Sequence, residues 1–411
     1  MDEIIERIKT NRIAQIFIGI IILFIIVSIW YLNKILSKQK KETLPCYNQT
    51  ITILSPFTST DLTELNAHAS KYCIKLTFKE KDLNYIKNNL LKDIAQGNIP
   101  DIVFVDSDFL LENLNIFQEY KGKTLNIDEY PESIIEPLNN KLIAYPLYFD
   151  VLVTFANREY LNNAGLLSAP KTFEELKNVL PSLRILDSSY NIQLAPIALG
   201  TANNIDRLFE IFVTIHKNLN EDKYKDINSF YNTLDFYTQF ANKSSPYFAW
   251  QEYLPNSFVA FAQGQVALIF GFYSDKDRIL DINKRIKLEI YPFLRFAGKT
   301  KSYNYIKTYF FAVPKQGKHK YAWMVLEFFD KYYEKFISKK DLLPIKKALI
   351  EKVDKNKKEI VKDLLIGDYF YEFNREYFEN AIKVDIQNWL SDKENVKRLI
   401  SIEQIRRFFK K

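Results

Sequence analysis

Between residues 50 and 105 the apolar positions follow two rhythms in turn. Residues 50–54 and 102–105 are short apolar or β-branched runs, and residues 74–78 place Ile74, Leu76 and Phe78 at every second position, so all three stretches read as strands. Between them Leu62, Leu65 and Ala69 share one helical face, and Leu83, Ile86, Leu90 and Ile94 repeat at three and four residues until Gly97 stops the pattern. Strand and helix in alternation predict βαβ units with right-handed crossovers and a mainly parallel sheet. An α/β lobe is the expectation for this part of the chain.

Residues 142–155 are rich in β-branched and aromatic side chains and read as an extended segment interrupted at Pro146, which has no N–H for a ladder. Asn157 opens a short helix and Gly165 closes it at a position suited to a left-handed residue. Pro170 cannot continue a helix, so the chain restarts at Thr172, where Thr172 and Glu175 form a T-x-x-E capping box. Further on, Ile205, Leu208, Phe209, Phe212 and Ile215 predict an inward helical face, and a second amphipathic helix lies near residues 228–240. Residues 305–314 read as a strand, followed by a helix over 321–329 with Ala322, Val325, Leu326 and Phe329 on its apolar side. From residue 338 the chain is helical and Lys-rich, with Ala381, Val384, Ile386 and Trp389 on one packed face.

The first apolar feature is of another kind. Residues 13–32 carry no charge, and at about 1.5 Å per residue they reach across a ~30 Å hydrocarbon core. The run is longer than a secretory h-region and no small-residue cleavage site follows it, while Trp30 and Tyr31 stand where an interfacial aromatic belt is placed. We expect an uncleaved transmembrane anchor over 13–32, a cytoplasmic segment over 1–12 and a charged linker over 33–45. Orientation is not decided by flanking charge, because Arg7, Lys9 and Arg12 on one side face Lys34, Lys38, Lys40 and Lys41 on the other.

Two blocks carry a resemblance. PLYFDVLVTFANREYLNNAGL followed by PKTFEEL, within residues 141–176, resembles the hinge segment of the family 1 extracellular solute-binding proteins, the binding components of sugar-type ABC transporters. FAQGQVALIFG, within residues 261–271, is similar to the F-x-x-G-K-A-A-M block of the same family. The resemblance implies a two-lobed periplasmic-binding-protein-like (type II) fold with a hinge between lobes. One lobe would hold 46–150 with 291–335, and the other 151–290 with 336–411. It implies a monomer outside the cell membrane that takes a small solute, a sugar or oligosaccharide, and passes it to permease subunits, with no catalytic step and no cofactor. By the same match Asp106, Asp108, Tyr148, Asp150, Trp250, Gly271, Phe272 and Tyr273 would face the ligand. For Trp250 and Tyr273 ordinary core packing is the competing reading, since 15% of the chain is aromatic. Leu44-Pro45-Cys46 is not a lipobox, because no small residue precedes the cysteine, so the helix and not a lipid would tether the chain.

Charge and the remaining chemistry change this picture little. Asp106-x-Asp108 after an apolar strand is also the arrangement with which a glycosyltransferase holds a divalent cation, and it doubles as an acidic helix cap. A membrane-anchored glycosyltransferase and a ligand sensor on the same fold are the alternatives. The ten glycines include neither G-x-G-x-x-G nor a phosphate-binding loop, and His68, His216 and His319 are scattered without metal-binding spacing. The net charge of +7 is spread along the chain, so no nucleic-acid partner is expected. Cys46 and Cys73, the only cysteines, each lie just before a predicted strand. Parallel neighbouring strands would bring both thiols to one sheet edge and permit a disulfide; two unconnected thiols is the other reading.

Overall fold

A computed structural model describes residues 12–38, 44–299, 301–370 and 372–409. The expected cytoplasmic segment lies outside these residues save for Arg12, as does the middle of the expected linker. In chain order the strands are β1 (Gln49–Ser55), β2 (Ile74–Glu80), β3 (Ile102–Asp106), β4 (Ala144–Asn157), β5 (Ile185–Leu186), β6 (Ile192–Ile197), β7 (Val266–Phe272), β8 (Leu288–Pro292), β9 (Asn304–Ala312) and β10 (Gly367–Asp368).

β2, β1 and β3 lie side by side in parallel, joined by the helices Thr63–Ser70 and Leu83–Ala95, as the alternation predicts. The second of these helices is fixed at its start by the Asp82 carboxylate, which accepts from Tyr85 N at 2.7 Å, and buries Ile86 and Leu90. Beyond β3 the sheet stops being parallel: β9 runs antiparallel to β3, and β4 antiparallel to β9. The sheet is therefore mixed and not mainly parallel.

β4 joins the two lobes. Its first half, from Ala144 to Val151, pairs with β9 in the first lobe, while Leu152 to Asn157 pair with β7 on one side and β8 on the other in the second lobe. Pro146 does not end the strand; the register slips between Pro146 and Tyr148, a bulge that absorbs the missing N–H. At its end Asn157 caps the helix Arg158–Asn163 through Glu159 N at 3.0 Å, and Gly165 follows at φ +71°. Thr172 then caps the helix Phe173–Leu183, accepting from Glu175 N at 3.1 Å, while Glu175 reaches back to Lys171 N at 2.7 Å.

The pairings put the later crossings elsewhere than at residues 291 and 336. Tyr291 and Pro292 still pair with the second half of β4, and Arg295 bridges to Thr172, so the return to the first lobe comes in β9. Phe336 packs edge-on against Phe57, 5.0 Å between centroids, and Leu343 bridges Phe149, both in the first lobe. On the helix Arg375–Leu399 the buried side is Phe378, Ile382, Ile386 and Trp389, whereas Val384 faces solvent. Cys46 and Cys73 are joined in a disulfide at the edge where β1 and β2 begin in parallel register, Gln49 opposite Ile74.

The helix Arg12–Lys38 presents its described apolar side chains to the outside, among them Phe17, Leu23, Phe24 and Trp30. Among the described residues no helix is long and apolar enough to cross a membrane.

Candidate functional site

The hinge strands build a polar face from alternate positions. Tyr148 stands opposite Tyr309, and Asp150 opposite Lys307, on β4 and β9. The two tyrosine rings stack with centroids 4.6 Å apart, and Phe104 of β3 lies nearly parallel to Tyr309 at 5.5 Å. Both tyrosines remain partly exposed, so this three-ring stack offers an aromatic surface at the seam between the lobes. Burial first, and then the nearby Asp150 and Asp106 charges, push the Tyr148 hydroxyl well above its ordinary range.

Around the rings runs a network of charges. Asp106 ends β3, and its carboxylate caps the next helix through Phe109 N at 3.0 Å while accepting from Lys87 at 3.0 Å. The Lys307 ammonium lies against both acids of the Asp106-x-Asp108 pair, 3.5 Å from Asp106 and 3.2 Å from Asp108. Arg375, at the start of its helix, comes within 3.7 Å of Asp108, bonds Glu210 at 2.6 Å and Glu379 at 2.7 Å, and lays its guanidinium over the Phe209 ring. Burial raises Asp108, but the charges of Lys307, Arg375 and Lys87 outweigh it and hold the carboxyl below the usual value. Glu210 behaves likewise: burial raises it, and Arg375, Lys307 and Arg207 bring it below. The network thus links acids of the first lobe to a cation carried by the second.

Asp150 is tied to the second lobe instead. Its carboxylate accepts from Ser274 Oγ at 2.5 Å and Ser274 N at 3.2 Å, just past β7. Burial pushes Asp150 up to about 6, with the Ser274 bonds opposing the shift and the Asp275 charge adding to it. Arg207, in the left-handed region at φ +60°, holds Asp275 through two bonds of 3.0 and 2.6 Å and caps the Phe272 ring at 5.2 Å.

Of the residues singled out in the sequence, Asp106, Asp108, Tyr148 and Asp150 meet on this face, and Phe272 borders it through Arg207. Trp250 does not belong there. It is fully buried, its indole N–H donates to Asn204 Oδ1 at 3.0 Å, and no ring face is left for a solute. Gly271 is a packing position: a Cβ there would meet Phe258 and Phe155 at about 3 Å, inside the sheet. Tyr273 is also buried, directing its hydroxyl 3.4 Å from Asp341 with Lys276 over its ring.

Tyr273 instead lines a cavity of about 830 Å³, together with Tyr291, Phe293, Arg295 and Lys357. None of that cavity's lining residues belongs to the ring stack or the ionic network. Its walls come from residues 170–172, Tyr273, β8 with Phe293 and Arg295, and residues 354–360, whereas the ring stack and the ionic network stand on the hinge face. The hinge face joins the two lobes, and the candidate site is placed there.

Lys307, Tyr309, Arg207, Glu210, Ser274 and Arg375 escaped sequence reasoning. One signal for Lys307 was available, since it is the lone charge in an otherwise apolar and aromatic strand, where an unpaired cation is disfavoured. His68 packs against Phe328 and His319 is exposed, while His216, fully buried, sits between Thr233 Oγ1 and the Tyr224 carbonyl, and burial pulls it down to about 4.

The sequence matches a model of the bacterial extracellular solute-binding proteins over residues 60–335. No curated protein matches it. Among solved structures, a cyclo/maltodextrin-binding protein complexed with maltotetraose is similar with a TM-score of 0.67 at 13% identity, covering 89% of this chain and 97% of its own. The sugar-binding protein MalE from Xanthomonas citri is similar with a TM-score of 0.65 at 14% identity, covering 87% and 97%. An ABC transporter solute-binding protein from Thermotoga lettingae bound with α-D-tagatose reaches 0.60 at 16% identity, covering 88% and 99%.

Proposed function

Because the chain belongs to the bacterial extracellular solute-binding proteins, a family of binding components and not enzymes, we propose that it captures a carbohydrate between its lobes and delivers it to an ABC permease. The observation that carries this reading is the Tyr148–Tyr309–Phe104 stack at the hinge, flanked by carboxylates and cations from both lobes. Aromatic faces suit the C–H surface of a sugar ring, and fixed carboxylates and ammonium groups suit its hydroxyls. A solute touching both lobes favours the closed arrangement by the contacts it makes only there.

The glycosyltransferase alternative loses its support at the same place. Lys307 occupies the position between Asp106 and Asp108 that a divalent cation needs, and among the described residues no group of acids, histidines and cysteines is placed to hold a metal.

Tethering by residues 13–32, with the large domain outside the cell as a monomer, completes the proposal. The uncharged run and the outward apolar side chains of the helix Arg12–Lys38 support it, since such a surface needs an apolar covering. Titration calorimetry of a fragment starting at Leu44 with free oligosaccharides tests the binding role; saturable heat without turnover is expected. Metal-dependent turnover of a nucleotide-sugar would overturn it. Recovery of the full chain as a soluble species after alkaline carbonate washing would remove the anchor.

A further inference from the structure

On the second lobe, away from the hinge, a cavity of about 450 Å³ is lined by Thr201, Asn242, Lys243, Gln251, Glu252 and Tyr253. Its wall also includes Leu390 of the helix Arg375–Leu399. At about 1.5 Å per residue, Leu390 stands roughly 22 Å along the helix axis from Arg375, and none of the cavity's lining residues belongs to the ring stack or the ionic network.

Gln251 is 6% exposed, yet neither its Oε1 nor its Nε2 has a hydrogen-bond partner among the described residues. A buried amide with both ends unmet is unfavourable, and a ligand that supplies a donor and an acceptor together removes that cost. The loop carrying it is held rigid. Asn204 Nδ2 donates to the carbonyls of Gln251 and Leu254 at 2.9 and 3.0 Å, and Asn204 Oδ1 accepts from the Trp250 indole. Next to it, the Tyr253 hydroxyl accepts from Ile192 N at 3.0 Å, which pins a ring that is 59% exposed at the cavity rim. Glu252 is fixed by accepting from Ala202 N at 3.1 Å.

We propose that this cavity is a second binding site, for a neutral saccharide unit, distinct from the hinge site and independent of it. A carboxamide offers a donor and an acceptor side by side, the pattern that two neighbouring hydroxyls complement, and the pinned Tyr253 ring offers a flat apolar face to C–H groups. Lys243 and Glu252 bring opposite charges to the rim, so neither an anion nor a cation is selected.

Saturation-transfer NMR on the full chain with maltotetraose and mannobiose as probes tests this. In a Tyr309→Ala background, which disables the hinge face, at least one probe still receives transfer. Adding Tyr253→Ala or Gln251→Leu removes it, with at least a tenfold loss of apparent affinity. Gln251→Leu melts no earlier than its parent, because the unmet amide is gone. Tyr253→Ala, at an exposed ring, keeps the test clear of misfolding. Absence of transfer in Tyr309→Ala overturns the proposal whatever the unaltered chain does, as does transfer untouched by both second-site changes. Failure of the hinge reading is seen separately, as Tyr309→Ala binding just as the unaltered chain does.

Discussion

Asp150 and Lys307 face each other across the hinge strands, and each is tied to a different lobe: Asp150 to Ser274 beyond β7, Lys307 to Asp106 and Asp108 beyond β3. A rotation of one lobe against the other changes the surroundings of this pair before it disturbs either core. On the proposed reading, ligand contacts made here would bear directly on the lobe angle.

Replacing Tyr309 or Tyr148 by alanine should weaken solute binding by ten- to a hundredfold, the equivalent of roughly 1.4 to 2.8 kcal/mol. Calorimetry with the best oligosaccharide found for the unaltered protein checks this. Unchanged affinity in both variants would remove the ring stack from the site.

Trp250→Ala should act in the opposite way. Its side chain is fully buried and hydrogen-bonded, so its removal should lower stability by roughly 3 to 5 kcal/mol. Binding by the molecules that remain folded should keep its dissociation constant. Denaturant unfolding and calorimetry below the melting range separate the two effects.

Arg375→Leu leaves Glu210 charged and buried without its partner, a change expected to cost about 3 to 5 kcal/mol. The double variant Arg375→Leu, Glu210→Leu should recover a large part of the loss. A double-mutant cycle by urea unfolding reads the coupling, and strict additivity would show that the pair is not coupled.

Asp150 and Asp363 are raised to about 6 and Asp385 to about 7, in each case by burial first. Between pH 4 and 7 the folded chain holds protons that the unfolded chain has released, so these groups stabilise fully below about pH 4. Their contribution is lost as pH rises through 6 and 7. Melting temperature should fall between pH 5 and 8, and Asp385→Asn should flatten part of that slope. A slope equal to that of the unaltered protein would show that Asp385 does not titrate in this window.

Reduction of Cys46–Cys73, which closes a loop of 27 residues, should lower stability by roughly 3 to 4 kcal/mol in the chain-entropy model. Thermal unfolding with and without a reductant measures it. No change in midpoint would mean that the bond constrains little.

Much of the fold was legible because burial imposes period. β1, β2, β3 and the helices between them follow from apolar spacing, and the caps at Asn157 and Thr172 follow from local chemistry. β8 was not legible, since every residue from Leu288 to Pro292 is half-buried at a sheet edge and leaves no alternation. Of the candidate hinge face, half the residues were legible. Asp106, Asp108, Tyr148 and Asp150 follow strands whose direction could be read, whereas Arg375 and Glu210 are 165 residues apart and only the fold brings them together. For Trp250 two readings stood open, because aromatic character does not say which side of a loop faces the core, and the structure buries the side chain.

The pairing of Val103 in β3 with Ala312 in β9 has a consequence for synthesis. The edge of β3 has no β partner until about 200 further residues have been made, which at 5–20 residues per second takes roughly 10 to 40 s. Through that interval the emerging chain carries an open, apolar strand edge, the template on which aggregation starts. Contacts this distant in sequence also slow the search for the native state. Neither lobe is a continuous stretch of chain, so a ribosome-stalled fragment ending before β9 cannot close its first sheet.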